Sequence, residues 1–298
     1  MAHRRIKVAA AQLLTSGDVA ANARMIEAAI REAHAQRCHI VLFHEGALNG
    51  YPPHDRFRKL DMDQVLMAER RVRRLAARLG IAVLLGTVGQ EGRNFYNDVL
   101  VIDEKGVSLG RYTKTWRAGE HWYEAGEGPV VFRIAGVDAT VIICHDLRYP
   151  ELARLGVAAG ARIVFIANNE SGLDQEKKLL GYRSMQISRA TENGVFAVMC
   201  NAPADPHDIT RVDASHGNSM IVDPAGNVMD EAGSFEQRLV TATLDLKLAS
   251  RTFPLRTLAR NREILKRYKT DCENPQMRDW IRAGLKLVRR LDGRSGRR

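Results

Sequence analysis

The chain has 298 residues, 45% of them hydrophobic, which is enough to build a sizeable core. Its formal net charge of +10 invites a nucleic-acid reading, but the excess gathers in Arg70–Arg78 and in the stretch from Arg278 to Arg298. No segment interleaves basic and aromatic residues as a base-stacking platform does, so we expect no nucleic-acid partner. The four cysteines (Cys38, Cys144, Cys200 and Cys272) form no CxxC pair. Neither a disulfide framework nor a metal site is expected, no apolar run is long enough to span a bilayer, and a reducing cytoplasm fits best.

In chain order, strand and helix patterns alternate. Val8–Leu13 reads as a buried strand. Ala20–Gln36 reads as an amphipathic helix, with Ala23, Ile26, Ala29, Ile30 and Ala33 at helical spacing. His39–Phe43 is a second strand, and Asp61–Leu79 is a helix that Gly80 ends. Ile81–Thr87 follows as a strand. The same grammar of helix end, small residue and apolar strand returns at Ala158-Ala-Gly160 before Arg162–Ala167, and at Thr191-Glu-Asn-Gly194 before Val195–Cys200.

Two hairpins echo each other. Asp103 and Asp223 each precede a glycine by three residues, between apolar runs, as a short turn with glycine at positive φ requires. Both halves thus share helix–strand–hairpin elements, which implies one α/β domain over residues 1–270 with an approximate internal duplication. Residues 271–298 are expected to form a helical extension with a basic tail. Thr257–Tyr268 and Gln276–Leu291 read as its approach and its body.

Three polar clusters stand out. In Val141-Ile-Ile-Cys-His-Asp-Leu-Arg-Tyr-Pro-Glu151 an apolar strand runs into Cys144, and Pro150 is placed to open a helix. By the residues alone Cys144 is either a buried structural thiol or one activated by turn N–H groups and a nearby cation, which favour thiolate. His145 is poorly placed as its base, since neighbours on a strand face opposite ways, but its backbone N–H can join an oxyanion hole. Arg148 and Glu151 read as a buried structural pair. In Phe43-His-Glu-Gly-Ala-Leu-Asn-Gly-Tyr-Pro-Pro53, Glu45 ends a buried strand, which suits either a general base or a brace for the following loop. In Gly110–Gly126, Lys114 follows the first hairpin, and Glu120 supplies a second carboxylate in the same loop.

Glu45, Lys114 and Cys144 resemble, in order and spacing, the Glu–Lys–Cys triad of the nitrilase superfamily of carbon–nitrogen hydrolases. The stretches Arg189-Ala-Thr-Glu-Asn-Gly-Val-Phe196 and His216–Gly226 are similar to its later signatures, and the resemblance spans about residues 5–250. It implies a four-layer α-β-β-α sandwich, and a cysteine thioester mechanism with Glu45 as general acid–base, Lys114 as oxyanion stabiliser and Glu120 as the second glutamate. It implies no cofactor. By the same resemblance, the loop Asn168-Asn-Glu-Ser171 lines the pocket, so Asn169 and Glu170, with Tyr51 and His145, are expected to touch substrate. Arg189, Glu192 and Asn193 are expected to bind backbone or the nucleophile loop.

The resemblance further implies a small amide or N-carbamoyl substrate. Nitrilases proper usually carry Trp-Glu where His145-Asp146 stands here. N-carbamoyl-D-amino-acid hydrolases carry two adjacent arginines where this chain has Leu147-Arg148. A nitrile substrate, or a catalytically silent binding protein on the same fold, are the alternatives. A homo-oligomer, dimer or tetramer, is expected through the helices near Pro150–Ala159 and Glu176–Glu192.

Overall fold

The computed structural model describes residues 5–51, 59–170, 176–207, 215–258 and 275–293. The first half runs β1 (Arg5–Gln12), α1 (Val19–Ala35), β2 (Ile40–Phe43), α2 (Met62–Leu79), β3 (Ala82–Glu91), β4 (Asn94–Ile102), β5 (Ser108–Thr113) and the short β6 (Tyr123–Glu124). The second runs β7 (Val130–Ile134), β8 (Val137–Ile143), a 3-10 turn at Cys144–Arg148, α3 (Pro150–Ala158), β9 (Ile163–Ala167), α4 (Glu176–Thr191), β10 (Phe196–Cys200), β11 (Met220–Val222), β12 (Val228–Glu231) and β13 (Arg238–Asp245). Helices α5 (Thr252–Leu258) and α6 (Pro275–Leu285) and strand β14 (Arg289–Leu291) follow.

These elements form two sheets, ordered β13-β1-β2-β3-β4-β5 with β6 beside β4, and β12-β11-β10-β9-β8-β7-β14. Their internal order is the same. Strands β1, β2 and β3 are parallel, then β4 and β5 turn back antiparallel. Strands β8, β9 and β10 are parallel, then β11 and β12 turn back antiparallel. A further antiparallel strand flanks each parallel trio, β13 on β1 and β7 on β8. Parallel neighbours need crossover connections, and α1, α2, α3 and α4 supply them.

Side-chain alternation explains the layering. Inward residues of both sheets, among them Ile6, Val8, Ile40, Phe132, Phe165 and Phe196, make one core between the sheets. The outward faces of β1–β3 pack on α1 and α2, and those of β8–β10 pack beneath α3 and α4. The result is the α-β-β-α sandwich that the sequence predicts. Helix α1 buries the expected stripe of Ala23, Ile26, Ala29, Ile30 and Ala33, and the Asp18 side chain caps it by accepting from the Ala20 and Ala21 N–H groups. Asp61 caps α2 in the same way, and Gly80 ends it in the left-handed region at φ 65°. Both hairpin turns form as read: Asp103 accepts from Lys105 and Val107 N–H, and Asp223 accepts from Ala225 and Asn227 N–H.

One C-terminal expectation is corrected. The helix read over Gln276–Leu291 stops at Leu285, and Arg289–Leu291 instead adds β14 parallel to β7. Leu291 enters the inter-sheet core, and that burial outweighs the helical pattern of the preceding residues. Of the helix read over Thr257–Tyr268, all beyond Leu258 lies outside the described residues, as does Cys272. Among the described residues no helix is long and apolar enough to cross a membrane.

Candidate active site

The polar clusters converge where the strands of the two sheets end. Glu45 follows β2, Lys114 follows β5, and Cys144 follows β8. Glu45 and Cys144 line a cavity of about 720 Å³, and Lys114 joins them through Glu45. Lys114 and Glu45 are only 2% and 1% exposed, and the Lys114 Nζ donates to Glu45 Oε1 at 2.9 Å and to Glu120 Oε1 at 2.6 Å. Burial alone would discharge this amine. The carboxylates of Glu45 and Glu120, together with Cys144, outweigh it and hold the ammonium well above its ordinary range.

Every donor around Glu45 is fixed by another element. Asn97, from the middle of β4, donates Nδ2–H to Glu45 Oε1 at 2.6 Å. The Asn169 backbone N–H donates to Oε2 at 3.0 Å. Glu120 is held by Lys114, by the Tyr51 hydroxyl and by the Ala118 N–H. Burial works against its ionised form, but Lys114 prevails and its carboxyl lies below the usual range.

Cys144 opens a 3-10 turn with φ 46°, an uncommon conformation for a residue with a Cβ. The first N–H groups of such a turn have no partner within it. Asp146 clamps the turn. Buried completely, it accepts from Ile143 N–H at 3.1 Å, Tyr112 O–H at 2.7 Å and Trp116 N–H at 2.7 Å. The nucleophile turn and the loop carrying Lys114 are thereby one unit. From the other side Arg189 donates to the Leu147 carbonyl and pairs with Glu192 at 2.9 Å, the backbone-binding use the sequence suggests.

All the sequence-derived substrate residues border the cavity: Tyr51, His145, Asn169 and Glu170. Their means of contact differ. Tyr51 is bonded to Glu120. Asn169 reaches Glu45 through its backbone. Glu170 accepts from the Tyr182 hydroxyl and lies beside the Cys144 thiol, while its own N–H donates to Asn201 Oδ1 at 2.9 Å. Burial raises the Glu170 carboxyl despite those bonds.

The Cys144 thiol is pushed well up, first by burial and then by the Glu170 and Glu45 carboxylates, which together outweigh Lys114. One expectation fails here: Arg148 and Glu151 are not a buried pair. Both are exposed, and Arg148 turns to the cavity wall, donating to the Tyr182 hydroxyl at 2.9 Å with its guanidinium 5.2 Å from the ring centre.

Asn97, Tyr182 and Asn201 escaped the sequence reading. A polar Asn97-Asp98 pair inside the otherwise apolar β4 was the available signal for the first. Nothing local marks the other two. Among the described residues, no three histidine, cysteine or acidic side chains converge to hold a metal ion.

Comparison with known proteins agrees with this geometry. A family model described as carbon-nitrogen hydrolase matches residues 7–252. A 2-oxoglutaramate amidase of Bacillus subtilis is 30% identical over 185 residues, covering 60% of this chain and 68% of that protein. An N-carbamoylputrescine amidase of Arabidopsis thaliana is 26% identical over 271 residues, covering 82% and 88%. Among solved structures, an amidase of Nesterenkonia sp. AN1 aligns with TM-score 0.73 and 26% identity over 88% of this chain and 96% of that one. That structure shows the acetamide moiety of fluoroacetamide covalently added at the active-site cysteine.

Proposed function

The chain belongs to the carbon–nitrogen hydrolase family and hydrolyses the non-peptide carbon–nitrogen bond of a small amide, and from that premise we propose how its residues divide the work. Cys144 is the nucleophile, Glu45 the general acid–base, Lys114 the oxyanion stabiliser, and Glu120 the group that positions Lys114. The observation that carries this reading is the Lys114 ammonium, held between Glu45 and Glu120 beside the Cys144 thiol.

The geometry supports each step. The resting thiol is protonated, so it must lose its proton as it attacks. Glu45 accepts a hydrogen bond from it and takes that proton. The Cys144 Sγ adds to the carbonyl carbon, and the oxyanion that forms is met by Lys114 and by the His145 backbone N–H. Glu45 then returns the proton to the leaving nitrogen, ammonia or an amine departs, and a thioester remains. Water, deprotonated by Glu45, hydrolyses the thioester and restores the thiol. Because Lys114 stays charged throughout, it stabilises the anion without spending a proton.

The similarity to an amidase and to an N-carbamoyl amidase supports an amide or carbamoyl substrate over a nitrile. For assembly, we read the chain as a homo-oligomer that pairs through the helices after the nucleophile. Leu180 on α4 is 70% exposed, as an unpartnered contact residue is. We place the enzyme in the cytoplasm, where its buried free thiols Cys38, Cys144 and Cys200 stay reduced.

The test is intact-mass detection of a Cys144 adduct with a panel of amides, N-carbamoyl compounds and nitriles, wild type beside Cys144→Ala. An acyl mass on wild type that the variant lacks is the expected result. An identical mass shift on both proteins removes Cys144 from the mechanism.

A further inference from the structure

We propose that Glu170 makes this site selective for acyl groups that carry a cation, an ammonium or guanidinium, close to the scissile carbonyl. The inference rests on the amide-hydrolase reading above and adds the chemical class of the acyl group.

The charges lining the cavity are unevenly matched. Glu45 and Glu120 share the Lys114 ammonium at 2.9 Å and 2.6 Å, so their charges are compensated within the protein. Glu170 is not matched in this way. It is 5% exposed, borders the cavity, accepts a hydrogen bond from the Tyr182 hydroxyl and lies beside the Cys144 thiol, both neutral groups. The nearest described cation, Arg148, is spent on Tyr182, bonding its hydroxyl at 2.9 Å and stacking on its ring. Arg148 attracts Glu170 through space, but its hydrogen bond goes to that hydroxyl, and burial still raises the Glu170 carboxyl. A second carboxylate, Asp205, stands on the same cavity wall. Among the described residues, the carboxylates Glu45, Glu120, Glu170 and Asp205 line the cavity alongside Arg148.

A buried carboxylate bonded by neutral donors, with its nearest described cation turned to another partner, is costly to ionise in a low-dielectric site. Glu170 also acts against catalysis in the empty enzyme, because an anion beside the thiol opposes thiolate formation. A cationic group arriving on the substrate reverses both effects at once. It gives Glu170 a partner, and it removes the field that holds the Cys144 proton in place. Neutral acyl groups of the same shape leave both penalties standing. Selection of this kind operates in the attack on the carbonyl as well as in binding, so it appears in kcat as well as KM.

The experiment compares three pairs of isosteric amides at pH 7: glycinamide with propionamide, β-alaninamide with butyramide, and 4-aminobutyramide with pentanamide. For at least one pair the cationic member is expected to exceed its neutral partner in kcat/KM by about tenfold or more, the scale of one charge-assisted contact. Glu170→Gln keeps the shape and removes the charge. It should bring that ratio close to one, and its Cys144 should alkylate faster than wild type with the neutral reagent iodoacetamide. Neutral amides preferred at all three lengths by wild type overturn the proposal without recourse to any variant. A ratio that survives Glu170→Gln, or alkylation that is unchanged or slower, overturns it as well. Absence of both turnover and any Cys144 adduct across the panel overturns the amide-hydrolase reading itself, and this inference with it.

Discussion

Glu45 and Asn169 join the two halves of the sandwich at the catalytic floor. The Asn169 N–H donates to Glu45 Oε2 at 3.0 Å, and the Glu45 N–H donates to the neighbouring Asn168 carbonyl at 3.2 Å. The two residues are counterparts in the duplicated topology, each following the middle strand of a parallel trio, β2 or β9. The pseudo-symmetry of the fold thus places a carboxylate from one repeat against a backbone donor from the other.

Glu45→Gln is expected to fold and to lose about 100-fold to 10,000-fold in kcat, the range of general acid–base catalysis. All the groups around Glu45 are donors: Asn97 and Lys114 on Oε1, Asn169 on Oε2. A glutamine amide must therefore oppose a donor with its NH2 on one side or the other, besides losing the base. Steady-state ammonia release measures the loss, and a rate within tenfold of wild type would exclude Glu45 as the proton carrier.

Gly86→Ala should damage the site from a distance. A Cβ on Gly86, in β3, would lie 1.8 Å from the His44 carbonyl oxygen and 3.0 Å from the Gly46 N. Both are backbone atoms flanking Glu45, so relief comes only by moving the catalytic carboxylate. We expect a stability loss of about 1–3 kcal/mol from overpacking. We also expect kcat to fall by about 100-fold, the cost of an ångström-scale displacement. Urea titration and kcat separate the two, and undiminished kcat in a destabilised protein would show that the strain is absorbed elsewhere.

What was legible in the sequence was local. The α1 stripe, the Asp-to-Gly hairpin turns and the clusters around Glu45, Lys114 and Cys144 are each written within about a dozen residues. What was not legible depends on which strands become neighbours. Asn97 matters because β4 passes beside Lys114, whose N–H donates to the Asn97 carbonyl at 2.9 Å. Arg148 turns to Tyr182, 34 positions away, rather than to Glu151 three positions on. Residues Arg289–Leu291 carry no strand signature strong enough to announce that they close a sheet beside β7. The state of the Cys144 thiol was left open for the same reason. Its lysine is visible as a nearby cation in the sequence, but Glu170 comes to it across the fold.

Arg189→Ala should loosen the nucleophile turn. The buried guanidinium donates to the Leu147 carbonyl inside that turn and pairs with Glu192 at 2.9 Å. Removing a charged donor from a buried carbonyl costs about 1.5–3 kcal/mol. Arg189→Lys should restore little, since an ammonium lacks the fork that reaches both partners. Thermal unfolding tests the first claim, and the rate of Cys144 acylation, read by mass well below the transition, tests the second. Equal melting temperatures for wild type and Arg189→Ala would reduce Arg189 to a surface group.

Asp146 gives stability a pH dependence of unusual sign. Burial raises its carboxyl to about 6 in the folded protein, from an ordinary value of 3.8, with the bonds from Tyr112, Trp116 and Ile143 pulling the other way. The folded state therefore holds this proton more tightly than the unfolded chain. The stability contributed by that protonation is fully present below pH 3.8 and is lost as pH rises through about 6. At about 1.4 kcal/mol per pH unit across that window, the loss is on the order of 3 kcal/mol. Asp146→Asn cannot titrate. Its absolute stability shifts because an amide cannot accept all the bonds the carboxylate does, but its pH slope lacks this component. Urea unfolding of both proteins at intervals from pH 4 to pH 7 should show wild type losing stability relative to Asp146→Asn as pH rises. Parallel curves would mean that Asp146 is ionised throughout the range, and that its three donors from Tyr112, Trp116 and Ile143 compensate its burial completely.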